Sequence, residues 1–208
     1  MIRSVIFDVD GVLLDSFEGN LKFFQDLSRY AGCRPLTREE YAGMVHLSMW
    51  DMVKELSGLT SESEIRAIYD IGKNRVVPYP LDLLQVPVDT AQTIETLGSL
   101  YLLGIVTSRV RSSVFEAPRL AELESYFKVT VTFEDTENHK PSPDPLLLAV
   151  NRLGVRPEES VYVGDTESDV RAARAAGMKI VLYSKTDRYD ADAFVPTLGA
   201  LPDVIASF

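Results

Sequence analysis

Asp8 and Asp10 stand two residues apart where the apolar run Ile2, Val5, Ile6, Phe7 gives way to Gly11. An apolar run closed by glycine reads as a buried strand, and ligands collect at the carboxyl end of such a strand in an α/β sheet. Two carboxylates this close raise one another's proton affinity, so the pair needs a nearby cation or a proton on one member. Both conditions suit nucleophilic or acid–base chemistry. Asp-Val-Asp-Gly alone is equally readable as an acidic turn with glycine at positive φ, so the choice rests on what lies downstream.

Three further polar clusters follow apolar runs: Thr107-Ser108, Lys140-Pro141, and Gly164-Asp165 with Asp169. Singly they are a helix cap, a solvated charge and a common turn. Together they supply carboxylates, a hydroxyl and one lysine, the set that suits Mg²⁺ and a phosphoryl group. Mg²⁺ takes a few carboxylate oxygens and completes its shell with water and substrate oxygens. It also screens the acids, so that an ionised Asp8 can approach a phosphate dianion. Thr107 and the amides after it can donate to phosphoryl oxygens, and Lys140 places a positive charge where charge shifts in the transition state. Asp165 and Asp169, four apart at an expected helix start, turn towards one point.

The elements that must position these residues are legible from pattern. After the first strand, about seventy residues carry helix signals without a convincing strand. Phe17, Leu21, Phe24, Leu27 and Ser28 recur at helical spacing up to a stop at Gly32, and Thr37 with Glu40 and Ser61 with Glu64 each fit a capping box. Pro78 and Pro80 close the segment, and 81–88 reads as the return. From Asp89 onward helix and strand alternate: helices 90–99, 113–127, 143–153 and 167–176, and strands 101–107, 129–133, 160–164 and 179–183. A short strand at 193–195 and a helix from 198 finish the chain. This alternation predicts a Rossmann-like parallel α/β sheet covered on both faces. The expected division is a core of 1–15 and 82–208 interrupted by a helical cap domain of 16–81.

Composition bounds the partners. The chain has 208 residues, 46% of them hydrophobic and 25% charged, with a net charge of −10. That charge, with no basic cluster, argues against nucleic acid or an anionic membrane as partner. Cys33 is the single cysteine, so no intrachain disulfide is possible. No run reaches signal-peptide length before Asp8 or the about 20 apolar residues of a membrane span later, and a cytoplasmic protein, monomer or homodimer, is expected.

In these motifs, Asp8-Val9-Asp10-Gly11-Val12-Leu13, Thr107-Ser108, Lys140-Pro141 and Gly164-Asp165-Thr166-Glu167-Ser168-Asp169, the sequence resembles the haloacid dehalogenase superfamily, in particular its phosphatases with a helical cap inserted after the first motif. The order of the motifs agrees as well, so the resemblance spans essentially the whole chain. It implies a phosphatase acting on a small phosphorylated metabolite, phosphoglycolate-like or a sugar phosphate. Asp8 would be the nucleophile that becomes a phosphoaspartate, and Asp10 would protonate the leaving oxygen and then deprotonate water. The Asp8 carboxylate, the Asp10 backbone carbonyl and Asp165 would hold Mg²⁺, with Asp169 in or just outside its shell, while Thr107, the Ser108 amide and Lys140 would bind the phosphoryl group. A lid over such a site keeps water from the reaction, and the helical insertion is the candidate. Within it, His46 is either a substrate contact or a surface residue, and Met44, Met49, Trp50 and Met52 read as core of the insertion. Arg109 reaches either a second anion on the substrate or a surface acid, and His139 reads as exposed loop.

Two rivals use the same residues. A phosphomutase of the β-phosphoglucomutase kind returns the phosphoryl group to its sugar; related mutases usually carry an acid in place of Gly164, which favours hydrolysis here. A non-catalytic phospho-accepting or binding module also gathers acids, a hydroxyl and a lysine, but a receiver of that kind is shorter and has no lid.

Overall fold

The computed structural model describes residues 1–186 and 188–208. Six strands, β1 Ser4–Phe7, β2 Leu102–Val106, β3 Phe127–Val131, β4 Ser160–Gly164, β5 Lys179–Tyr183 and β6 Ala193–Val195, form one sheet in the order β3-β2-β1-β4-β5-β6. All neighbours are parallel. β1 lies between β2 and β4, with Phe7 opposite Ile105 and Val163. Every residue of β1 is buried. A strand covered on both faces has no solvent side to alternate with, which is why its sequence reads as a continuous apolar run.

The chain divides into two compact units, Met1–Asp15 with Val86–Phe208, and Ser16–Gln85. The first is the parallel sheet with its helices. The second is built from α1 Phe17–Ala31, α2 Arg38–Met44, α3 Met49–Ser57 and α4 Glu62–Lys73. Residues 82–85 fall with the helical unit, because a short 3-10 turn at Leu81–Leu83 lies against α1. Leu21, Phe24, Leu27, Met52, Val53, Leu56 and Ile65 form the core of this unit, and Met44, Met49 and Trp50 pack against that core half-buried.

Local signals explain most helix ends. Gly32 terminates α1 at φ 68°, a left-handed turn that costs glycine little. Thr37 accepts from the Glu40 amide while Glu40 accepts from the Thr37 amide, closing the expected capping box of α2. Thr37→Ala should cost about 1 kcal/mol and lower Tm by roughly 2–4 °C; an unchanged melting curve would show that the box contributes nothing. The corresponding box at Ser61 does not form. α4 does begin at Glu62, but the Ser61 hydroxyl lies 3.0 Å from Ser63 Oγ and makes no cap bond.

The remaining helices are α5 Thr90–Gly98, α6 Pro118–Ala121, α7 Asp144–Leu153, α8 Glu167–Ala176 and α9 Leu201–Ala206. The single helix expected over 113–127 is broken into a 3-10 turn at Arg111–Ser113, the four-residue α6, and a second turn at Glu124–Tyr126. Pro118 is the cause: it drives Ala117 into an extended conformation at φ −74°, ψ 120° and can only start a helix. β3 accordingly begins at Phe127, two residues before the expected start. It ends at Val131 because the Thr132 amide and hydroxyl both turn to Asp135 Oδ2. On one face of the sheet Ile6, Val106, Val131 and Tyr162 pack with Leu146, Ala149 and Val150 of α7 and Ala172 and Ala173 of α8. Among the described residues no helix is long and apolar enough to cross a membrane.

Candidate active site

The parallel ladder places the first acid. The Asp8 amide donates to the Val163 carbonyl at 2.9 Å, so β1–β4 pairing runs one residue beyond β1 and seats Asp8 at the strand's end. Its carboxylate is almost wholly buried, 7% exposed for the residue. Oδ1 accepts from the Val9 amide at 2.7 Å and Oδ2 from Lys140 Nζ at 2.8 Å. In the same way the Thr107 amide donates to the Val131 carbonyl, extending β2 against β3 and bringing Thr107 to the same edge. The buried Thr107 hydroxyl accepts from the Arg109 amide at 3.2 Å, which leaves its proton to be donated elsewhere. Ser108, beside it, is half-buried.

Lys140 is the hub. Its ammonium donates to Asp8 Oδ2, to Asp169 Oδ1 at 2.7 Å and to the Tyr162 hydroxyl at 3.0 Å. Three acceptors use the three N–H bonds of an ammonium. Asp169 has 0% exposure. Its Oδ2 accepts from the Thr166 hydroxyl at 2.6 Å and from the Thr166 and Asp165 amides at 3.0 and 3.3 Å. Thr166 caps α8, with Asp169 as the reciprocal member of the box. One carboxylate therefore starts the helix, shapes the Asp165 turn and holds the lysine.

Tyr162, the residue that sequence pattern does not single out, lies in the middle of β4 with no exposed surface. Its hydroxyl also reaches the Val106 carbonyl at the end of β2 and Asp169 Oδ1, each at 3.2 Å. The available signal was a lone tyrosine in a valine-rich buried strand, since a buried phenol needs a partner for its O–H.

Electrostatics follow from burial. Desolvation pushes the Asp8 carboxyl up to about 7, with the Lys140 charge opposing and the Asp169 charge adding to it. Burial and the charges of Asp169 and Asp8 carry Asp165 well above the carboxylate range. Asp169 moves the other way: burial disfavours its charge, but Lys140 and the Thr166 donors outweigh that and hold it low. Burial also opposes the Lys140 charge, yet Asp169 and Asp8 raise its pKa well above the ordinary value.

The acids also fit a divalent ion. Asp8, Asp165 and Asp169 each present an oxygen within 4.8 Å of the others. Among the described residues Asp165 Oδ1 is buried with no hydrogen-bond partner, a costly arrangement for a carboxylate that a cation would relieve. Gly11 keeps the approach open. Its φ is +75°, and a Cβ there would lie 2.1 Å from Asp165 Oδ2. Asp8 and Asp169 have both oxygens engaged by protein donors, so Asp165 offers the freest ligand atom.

Arg109 pairs with an acid of the site rather than with a surface acid. It is buried, and its guanidinium grips the Asp10 carboxylate with two bonds, Nε to Oδ2 at 2.9 Å and Nη2 to Oδ1 at 2.8 Å. His139 is half-buried rather than an exposed loop residue, because its ring stacks on Phe133 at 4.0 Å between centroids and 22° between planes. His46 is exposed in the turn between α2 and α3, within the helical unit.

Comparison with known proteins gives a consistent result. Residues 5–183 match the family model described as haloacid dehalogenase-like hydrolase. The chain is 31% identical to the pyrophosphatase PpaX of Bacillus pumilus over 86% of this chain and 81% of that protein. It is 35% identical to a phosphoglycolate phosphatase of Salmonella typhimurium over 85% and 79% of the two chains. Its fold superposes on the crystal structure of a haloacid dehalogenase-like hydrolase from Bacteroides fragilis with a TM-score of 0.86, covering 97% of this chain and all of the other at 25% identity.

Proposed function

The chain belongs to the haloacid dehalogenase-like hydrolases, and from that premise we propose that it is a phosphatase, dependent on Mg²⁺ and proceeding through a phosphoaspartate on Asp8. The observation that carries this reading is the Lys140 ammonium bridging Asp8 and Asp169 beside the unpartnered oxygen of Asp165. It joins a buried carboxylate, a fixed cation and an unpartnered carboxylate oxygen at the carboxyl edge of the sheet.

In this reading Asp8, Asp165 and the Asp10 backbone carbonyl hold Mg²⁺, which when bound supplies charge screening between the carboxylates and the phosphoryl oxygens. Asp8 Oδ forms a bond to phosphorus as the bond from phosphorus to the leaving oxygen breaks, and Asp10 gives its proton to that oxygen. Water then bonds to phosphorus, the Asp8–phosphorus bond breaks, and the water's proton passes to Asp10. The Thr107 hydroxyl and Ser108 amide orient the phosphoryl group, and Lys140 offsets its charge. Asp169 and Tyr162 act on Lys140, fixing where its charge sits. Ser16–Gln85 is the cap, and His46, exposed on it, is the candidate contact for a polar substrate group.

Hydrolysis is favoured over mutase chemistry by Gly164. A Cβ at that position would stand 2.4 Å from Asp169 Cβ, so the acid usual in mutases would displace the residue that anchors Lys140. The substrate class follows the relatives, small phosphoryl compounds such as pyrophosphate, phosphoglycolate or a sugar monophosphate. The test is a panel of these with Mg²⁺, reading free phosphate. Multiple turnovers are expected, with one phosphate released per phosphate ester consumed and two per pyrophosphate. Isomerised sugar phosphate without release would establish the mutase instead, and a single phosphorylation without turnover would make the protein a phospho-accepting module.

A further inference from the structure

We propose that Arg109 is the positioning residue of the acid–base step, holding the Asp10 carboxylate in the one orientation from which it serves both half-reactions. The proposal rests on the phosphatase reading above. Asp10 lies in the turn after β1, and its side chain is one-third exposed, 33%. Left to itself, such a side chain samples several rotamers and loses entropy whenever it is used. Arg109 removes that freedom. Two parallel bonds from one guanidinium edge fix the plane of the carboxylate as well as its distance, which a point charge such as lysine does not do.

Arg109 can act as a template because it is itself fixed at both ends. Its amide donates to Thr107 Oγ1, and its carbonyl accepts from the Phe133 amide at 3.0 Å. At the tip, Nη1 donates to the Ser113 carbonyl at 3.0 Å, and the side chain is 8% exposed. Ser113 is tied in turn by its hydroxyl to the Val110 carbonyl at 2.9 Å. The 3-10 turn Arg111–Ser113 is thus the wall against which the guanidinium is braced. The route runs from that turn through Arg109 to Asp10, and the two carboxylate oxygens are where it ends.

The experiment compares Arg109→Met and Arg109→Lys in the parental and Asp10→Ala backgrounds, using the full chain with Mg²⁺. The substrates are an alkyl phosphate, whose leaving oxygen needs a proton, and p-nitrophenyl phosphate, whose leaving group departs without one. On the alkyl phosphate Arg109→Met should lower kcat by about 10²-fold, with KM and the affinity for inorganic phosphate within about twofold of parent. Arg109→Lys should recover only part of the loss. With the aryl ester the first step survives and the second fails, so the Met variant should show a burst of nitrophenol and accumulate hydroxylamine-sensitive phosphoenzyme. In the Asp10→Ala background the same substitution should change nothing further.

A loss that multiplies in that background would mean that Arg109 acts on substrate directly, and a rise in kcat would mean that it restrains Asp10; either result overturns the proposal. Retained phosphate binding shows that a slow variant is folded, and the Lys variant supplies a second case if the Met variant is not. A parent protein that turns over no phosphoryl compound refutes the phosphatase reading itself, whereas an active parent matched by an equally active Arg109→Met refutes only the positioning role.

Discussion

Asp8→Asn should lower kcat on every phosphoryl substrate by about 10⁴-fold or more, the scale on which removing an activated nucleophile acts, while the protein stays folded. The amide keeps the shape of the carboxylate and one acceptor for Lys140 or the Val9 amide, giving up one hydrogen bond worth about 1 kcal/mol. Against that, it removes a buried charge. The carboxyl of Asp8 is raised by burial from 3.8 to about 7, so between those values the folded chain binds a proton that the unfolded chain has released. Folding is then opposed as pH rises through that window, by up to about 1.4 kcal/mol for each unit of displacement. Metal-free parent protein should lose stability from pH 4 to 7, and Asp8→Asn should lose less. At pH 8 the variant should melt about 5 °C or more above the parent. Paired melting curves at pH 5 and pH 8 and a phosphate-release assay check both halves; near-parental turnover by Asp8→Asn would remove it as nucleophile.

Chelation should stop turnover completely and added Mg²⁺ restore it, with full activity in excess chelator sinking the metal assignment. A second readout does not depend on catalysis. Asp8 and Asp165 both have raised affinities for protons in the metal-free site, and Mg²⁺ must displace those protons to bind. Its affinity should therefore climb as pH rises towards 7 and beyond. The stabilisation that ligand binding gives, about 2.7 kcal/mol at a hundred times Kd, should grow in parallel. The upward shift in Tm produced by a fixed Mg²⁺ concentration should be small at pH 5.5 and several degrees at pH 8. Equal shifts at the two values would mean that the ion binds elsewhere.

What could be read in advance was whatever depends on neighbours in the chain. β4, α8 and β5 were legible to their ends, because an apolar run, a capping threonine and a terminating glycine are all local signals. The helix expected over 113–127 does not form for a local reason, Pro118. Ser61 and Glu64 matched a capping pattern, but the hydroxyl had a nearer partner in Ser63. The polar wiring of the site is a different matter. Arg109 meets Asp10 across 99 residues, and Lys140 meets Asp8 across 132. Which of many acids a basic residue chooses at that range is decided by strand order and register, and no spacing in the sequence encodes it. For the same reason Tyr162 could be recognised as buried, but its contact with Lys140 could not.

The whole of Ser16–Gln85 lies inside the stretch that folding must close to bring Lys140 to Asp8. That unit about doubles the chain to be closed, and because the entropy of closure grows only logarithmically, each doubling costs about 0.6 kcal/mol. Against the 5–15 kcal/mol that holds a domain together, the toll is slight. The helical unit can therefore sit in the chain between Asp8 and the residues that meet it at almost no cost to the fold that gathers them.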